Sequence, residues 1–424
     1  MNPPTTRGPT PEQSALAYLA GLTDQPHQLP REFLEPTDQG KCPIPLAQKL
    51  TTEHSLPEIL LYARHNQASD VHLTVNTPII LRRYGVLVPQ TDHLISTQRM
   101  ENLIRETIPT EKLSSFLKFG DLEFVYTIRG GGRYRITIIK QRLGWALTAR
   151  VIPHRIRTLQ ESGMPLSCAQ LTKWAQGMVL VTGPVGCGKT SSLATLIEMI
   201  NQTRRDHIIT IEDPIEIVYT SQKCQITQRE INKHTLCQAH ALRAALREDP
   251  DILVVSELRD LESIQLAVTA AETGHLVLGT MNTNTASQTI TSLINSFPPE
   301  ERSIITNMIS ESLRGVICQQ LVPKKNGTGV VPAYEVLIMK TAISNMIRKN
   351  SLQHLNNVIA TGRADGMVLM DNSLQELVDN GTITTEEAMI RAVNKSLFGY
   401  DPSFPEIIPN FPDDPHPGGP LGEN

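Results

Sequence analysis

Residues 183–190 read Gly183-Pro-Val-Gly-Cys-Gly188-Lys189-Thr190, the G-x-x-x-x-G-K-[ST] spacing of a loop that cradles phosphates. The apolar run Gly177-Met-Val-Leu-Val-Thr182 precedes it, and the helix-compatible Ser191-Ser-Leu-Ala-Thr-Leu-Ile-Glu-Met-Ile200 follows. A strand that feeds a glycine-rich turn into a helix aims backbone N–H groups and the positive dipole end at one spot. With average glycine usage near 7%, a chance match has a probability on the order of 1%. The flanking strand and helix lower it further. The loop therefore implies a chain that binds a nucleoside triphosphate or descends from one that did, with Gly183, Pro184, Val185, Gly186, Cys187, Gly188, Lys189, Thr190 and Ser191 as candidate contacts. Lys189 reaches the β- and γ-phosphates, and the Thr190 hydroxyl is a ligand for Mg²⁺.

Outward from this loop, the chain of 424 residues is long enough for two to three domains. It is 40% hydrophobic and 19% charged, and its formal net charge of −4 offers no basic excess for a nucleic-acid partner. No apolar stretch nears the roughly 18–20 residues that cross a bilayer, and Met1-Asn-Pro-Pro-Thr-Thr-Arg-Gly8 lacks a signal-peptide core. The expected location is cytoplasmic, with peripheral membrane association open. Cys42, Cys168, Cys187, Cys224, Cys237 and Cys318 form no C-x-x-C pair, which supports neither a zinc ribbon nor a redox motif. Cys187 stands apart: a helix N-terminus beside Lys189 lowers a thiol pKa. That sets a reactive thiol, alkylation of which blocks ATP, against a small residue filling a loop position.

Residues 1–52 hold nine prolines and little apolar periodicity, as in a disordered extension. Within it, Ala15-Leu-Ala-Tyr-Leu-Ala20 reads as a transient helix or a docking segment. Over 53–152 a helical pattern from Ser55 is followed by alternating runs at Asp70–Thr74, Ile79–Tyr84, Gly132–Ile139 and Trp145–Ile152. With Thr97–Phe116 helical between them, this reads as a small α+β domain. Residues 153–176 read as a linker. Over 177–340 the apolar runs His207–Glu212, Ile252–Ser256 and His275–Thr280 alternate with helical patterns, giving an α/β domain with a mainly parallel sheet. A C-terminal helical segment spans 341–398. The remaining tail, 399–424, carries seven prolines, five acidic residues and no Lys or Arg from Asp401 on, and reads as disordered.

A phosphate loop needs carboxylates for hydrated Mg²⁺ and for the attacking water. Asp249-Pro-Asp-Ile-Leu-Val-Val-Ser-Glu257 is an apolar strand ending in an acid, the Walker B arrangement. Ile209-Thr-Ile-Glu212-Asp213-Pro214 ends a second strand in two. The carboxyl ends of strands line the ligand crevice of an open α/β sheet. Both sets should face the nucleotide, against the alternative of solvated turn residues.

Four ordered motifs then carry a family resemblance: Ile209-Thr-Ile-Glu-Asp-Pro-Ile-Glu216, Leu242-Arg-Ala-Ala-Leu-Arg-Glu-Asp-Pro-Asp251, Glu257-Leu-Arg-Asp260 and Ala270-Ala-Glu-Thr-Gly-His-Leu-Val277. Together they resemble the type II/IV secretion ATPase superfamily, and within it the PilT branch of type IV pilus retraction motors, over about residues 55–398. The resemblance implies a homo-hexameric ring, each subunit with a PAS-like N-terminal domain and a RecA-like ATPase domain. It implies Glu212 as the general base, Glu257 as the Walker B carboxylate for Mg²⁺, and His275 as the first histidine of the His box. It also implies an arginine pair that reaches the nucleotide, here Arg135 and Arg150, with Arg133 and Arg142 near enough to substitute. The implied partners are an inner-membrane pilus platform protein and a second pilus motor. The implied location is peripheral to the inner membrane.

Three positions depart from the pattern. Ser256 replaces a glycine before the Walker B acid. Asn282 replaces the second His-box histidine and cannot carry charge. Ser344, in Ala342-Ile-Ser-Asn345, replaces an arginine and loses a fork of donors. None of the three replaces Lys189, Thr190, Glu212 or Glu257. The leading expectation is a Mg²⁺-dependent ATPase motor for pilus retraction. The alternatives are a nucleotide-binding regulatory or scaffold subunit with weak turnover and, further off, a small-molecule phosphotransferase.

Overall fold

A computed structural model of the chain describes residues 50–153 and 155–399. The proline-rich start, its Ala15–Ala20 stretch and the tail from residue 400 lie outside the described residues. The described residues divide into two compact units, one holding those up to Arg82 with Leu87–Arg155, the other Arg83–Val86 and those from Ile156 on.

The first unit opens with helix α1 (Leu56–His65), started by a capping box in which the Ser55 N–H donates to Glu58 Oε2 at 2.8 Å. Its buried residues Leu56, Ile59, Leu60 and Ala63 follow helical spacing. Strands β1 (Asp70–Thr74), β2 (Ile80–Arg83) and β3 (Val86–Pro89) come next, then α2 (Thr97–Thr107) and α3 (Thr110–Phe119). The single helix expected over Thr97–Phe116 is thus two, broken where Pro109 denies an N–H and holds Ile108 extended. Strands β4 (Asp121–Ile128), β5 (Gly132–Gln141) and β6 (Gly144–Val151) complete a sheet of order β3-β2-β1-β6-β5-β4.

Period-two alternation sends Tyr134, Ile136 and Ile138 of β5 into the core with Phe116, Leu147 and Ala149, and puts Arg133, Arg135 and Thr137 on the other face. On that face the charges of four neighbouring strands run acid, base, base, acid. Asp70 on β1 pairs in register with Arg150 on β6, which faces Arg135 on β5. Arg135 is ion-paired to Glu123 on β4.

The second unit runs α4 (Cys168–Leu171), β7 (Gly177–Thr182), α5 (Lys189–Thr203), β8 (His207–Glu212), β9 (Gln225–Glu230), α6 (Gln238–Ala245), β10 (Ile252–Val255), α7 (Leu261–Glu272) and β11 (Leu276–Met281). It continues with α8 (Ala286–Asn295), α9 (Arg302–Ser312), β12 (Leu313–Pro323), β13 (Val330–Ile338), α10 (Thr341–Arg348), α11 (Leu355–Thr361), α12 (Met370–Asp379) and α13 (Thr385–Arg391). The sheet order is β13-β12-β7-β11-β10-β8-β9, parallel throughout except for the antiparallel edge strand β13. Every residue of β7, β10 and β11 is buried, because helices cover both faces of a parallel sheet. No helix among the described residues is long and apolar enough to cross a membrane.

Candidate nucleotide site

The site forms where four parallel strands end. Thr182 of β7 lies level with Met281 of β11, and Val255 of β10 is level with both Gly279 of β11 and Ile211 of β8. The residues that follow — Gly183, Asn282, Glu257 and Glu212 — therefore share one edge of the sheet. With strands about 4.8 Å apart, Gly183 and Glu212 are separated by roughly 14 Å, with Asn282 and Glu257 between them.

The loop is built by close approach and unusual backbone. At Gly183 a side chain would collide with the Gln319 carbonyl oxygen of β12 and come within 2.6 Å of Cys187 Sγ. Gly188 takes the left-handed conformation (φ 92°) and hands the chain to α5, whose first residue is Lys189. Gly183 and Cys187 are buried while Pro184, Val185 and Gly186 are exposed, so the loop is anchored from below and open above. Gln319 is part of the anchor: its Nε2 donates to the Cys187 carbonyl at 2.8 Å and its Oε1 accepts from Ser192 Oγ at 2.5 Å.

Lys189 Nζ donates back into the loop, to Gly183 O at 2.8 Å and Pro184 O at 2.9 Å. Partial burial lowers its pKa, opposed by the negative charge of Glu257. Thr190 is exposed at the start of α5, with Ser191 half-buried behind it. Cys187 does not follow the lowered-thiol expectation. It is 3% exposed, and burial pushes its thiol up by more than Lys189 and the loop's N–H groups bring it down.

Glu257 is the most constrained group of the site. Arg259 Nη2 donates to Oε2 at 2.6 Å and Asn282 Nδ2 donates to Oε1 at 2.6 Å. The hydrogen bond from Arg259 holds the carboxyl below its usual range, with Lys189 adding to the effect. Glu212, 8% exposed, is held at Oε1 by Thr210 Oγ1 at 2.6 Å and Gln228 Nε2 at 2.9 Å. Ser256 keeps its place in the ladder through its N–H to Ile211 O at 3.0 Å, and the Thr280 hydroxyl donates to its carbonyl. Ser344 is half-buried in α10. One turn on, Arg348 joins that helix to α9 through Ser310 Oγ at 3.0 Å.

Two further expectations concern residues that lie off these strand ends. His275 precedes β11, at the amino end of the sheet, about 20 Å along the strand from Asn282. There its carbonyl accepts from the Gly177 N–H at 3.0 Å and its Nδ1 sits 3.1 Å from Ala270 O. Within this chain it joins strand to helix, at the end of β11 opposite the loop. Arg135 and Arg150 lie side by side in the first unit, Arg150 with Nε 3.0 Å from Asp70 Oδ1 and Arg135 ion-paired to Glu123. Arg142 is exposed in the β5–β6 turn, and the Arg133 carbonyl accepts from Arg64 Nη2 at 2.9 Å.

Arg259, Gln228 and Gln319 were not among the candidates read from the sequence. Arg259 carried a signal, two residues beyond the Walker B acid. Gln228 and Gln319 carried none, since only strand order brings β9 and β12 to the site.

A glycine-rich loop between a buried central strand and a helix, with carboxylates on neighbouring strand ends, defines a phosphate-loop nucleotide-binding protein of the α/β class. The chain belongs to the type II/IV secretion system protein family, whose model matches residues 144–399. It is 40% identical over 341 residues to the type IV pilus retraction ATPase PilT of Pseudomonas aeruginosa, covering 80% of this chain and 98% of that one. It is 41% identical over 306 residues to a twitching motility protein of Neisseria gonorrhoeae, covering 72% and 82%. Among solved structures, the pilus retraction motor PilT with bound ADP superposes with a TM-score of 0.72 at 39% identity, covering 81% of this chain and 99% of that one. The Legionella pneumophila ATPase DotB gives 0.71 at 27%, covering 80% and 96%.

Proposed function

We propose that this chain is a Mg²⁺-dependent ATPase motor that drives type IV pilus retraction, the activity named for its Pseudomonas relative. The observation that carries the reading is the Glu257 carboxylate, kept ionised by Arg259 and Asn282 and electrostatically coupled to Lys189 across the strand ends. In the proposed reaction Lys189 exchanges its bonds to Gly183 O and Pro184 O for the β- and γ-phosphates. Glu212, oriented by Thr210 and Gln228, accepts the proton of the attacking water. The hard oxygen donors Thr190 and Glu257 suit Mg²⁺, which when bound neutralises charge on the phosphate oxygens. Arg135 and Arg150 are the proposed guanidinium donors to the γ-phosphate.

The same reading takes the second unit as RecA-like and the first as PAS-like, assembled as a homo-hexamer. The motor would work in the cytoplasm against an inner-membrane pilus platform protein, with a second pilus motor sharing the task. A second reading, a nucleotide-binding regulatory subunit with weak turnover, is favoured by one observation: Arg259 and Asn282 together occupy both oxygens of Glu257. Steady-state ATP turnover by the purified protein separates the two. Wild-type turnover well above that of Glu257→Gln and Lys189→Ala supports the motor; equal rates overturn it.

A further inference from the structure

One carboxylate of the second unit is buried where charge is costly and takes no part in the chemistry above. Glu335, on β13, is 1% exposed. Its Oε1 accepts the Ala286 N–H at 2.7 Å, and the Met370 N–H lies near enough to favour its charged form. Ala286 is the first residue of α8 and Met370 the first of α12. One side chain thus bonds the first N–H of α8 beside the start of α12, and the residue preceding α12, Leu369, offers no cap of its own. An apolar residue here would leave the Ala286 N–H unpaired in a dry interior.

The two helices lead in opposite directions. Ahead of α8 the chain runs back through Thr285, Asn284 and Thr283 to Asn282, the donor to Glu257. That segment is pinned by Thr285 Oγ1 accepting from the Gln288 N–H at 3.2 Å and by a 2.7 Å bond between the Thr283 and Thr289 hydroxyls. On the other side, Asp371 in the first turn of α12 accepts the N–H groups of Val393 at 2.8 Å and Asn394 at 3.0 Å. The start of α12 is thereby fastened to the chain that follows α13. Val336, next to Glu335, is bridged to Val368 by two backbone hydrogen bonds of 2.8 and 3.0 Å.

We infer that Glu335 is a positioning residue: it holds the 282–285 loop, and with it the grip of Asn282 on Glu257, in register with the C-terminal helices α12 and α13. The inference rests on the reading of Glu257 as the working carboxylate. A chain of contacts alone does not establish coupling. A double-mutant cycle does.

The cycle compares Glu335→Gln, Asn282→Ala and the double variant in full-length protein, with circular dichroism reporting folding. Expected is a kcat about tenfold lower for Glu335→Gln with little change in KM, the size seen when an outer partner of a catalytic group is lost. The double variant should be no worse than the poorer single. Multiplying losses, or wild-type kcat in folded Glu335→Gln, overturn the inference. Hydrogen exchange supplies a measurement that needs neither turnover nor the Glu335 variant. Amides of 370–379 should exchange faster in Asn282→Ala than in wild type, and unchanged exchange overturns the coupling even if the chain hydrolyses no ATP.

Discussion

Asn282 donates through Nδ2 to Oε1 of Glu257 at 2.6 Å, so an uncharged amide orients the carboxylate at the end of β10. Loss of a hydrogen bond to a charged group costs about 1.5–3 kcal/mol, which corresponds to about ten- to a hundredfold in rate. Asn282→Ala should lower kcat by that factor. Asn282→Asp should lower it further, because it sets a like charge against Glu257. Steady-state kinetics on the two variants checks the order.

The arginine pair separates structure from chemistry. Asp70 is 6% exposed and lies 3.0 Å from Arg150 and 3.8 Å from Arg82. Arg150→Ala strips a nearly buried carboxylate of its nearer partner and should destabilise the protein by about 1–3 kcal/mol. Arg135 and Glu123 are both partly exposed, so Arg135→Ala should cost less than about 1 kcal/mol. If both guanidinium groups serve the γ-phosphate, each variant loses about a thousandfold in kcat. Thermal unfolding read beside ATP turnover distinguishes the two effects.

Cys187 should be silent to thiol reagents. It is buried and its thiol is pushed up, whereas Cys237 is exposed. Brief alkylation of the native protein followed by peptide mapping should find Cys237 labelled and Cys187 unlabelled, with ATP affinity unchanged. Label at Cys187 on the same timescale would contradict the buried loop anchor.

Glu335 makes stability depend on pH with a defined sign. Burial raises its carboxyl, and the Asp371 charge adds to the effect, so the folded state binds this proton more tightly than the unfolded chain. A raised acid loses stability as pH climbs from the ordinary carboxylate range, about 4.3, through its folded pKa, and the loss is complete above it. Glu335→Gln removes that dependence. The melting temperature of the wild type relative to Glu335→Gln should therefore fall as pH is raised from about 4.5 to neutrality, and a difference that is flat or rises refutes the sign.

Much of the local architecture was legible in the chain. The runs at Asp70–Thr74 and Ile252–Ser256 are β1 and β10, and the helical pattern from Ser55 is α1. Strands β3, β4, β9, β12 and β13 were not singled out. In β4 and β9 the burial is only partial, which leaves a weak apolar signal. The break at Pro109 was visible, yet the helical periodicity on both sides concealed it.

What the sequence by itself determined is the strand–loop–helix unit at Gly177–Thr203 and the two acids that close β8 and β10. These rest on short-range constraints: glycines free to take positive φ, helical spacing, and β-runs ending in charge. Only the tertiary structure decided which ends of the strands meet, because order in a parallel sheet is set by contacts between distant segments. That order brought Asn282 onto Glu257, and Gln319 beneath the loop. It also carried His275 to the far edge, buried the Cys187 thiol, and set Glu335 against the first turns of two helices.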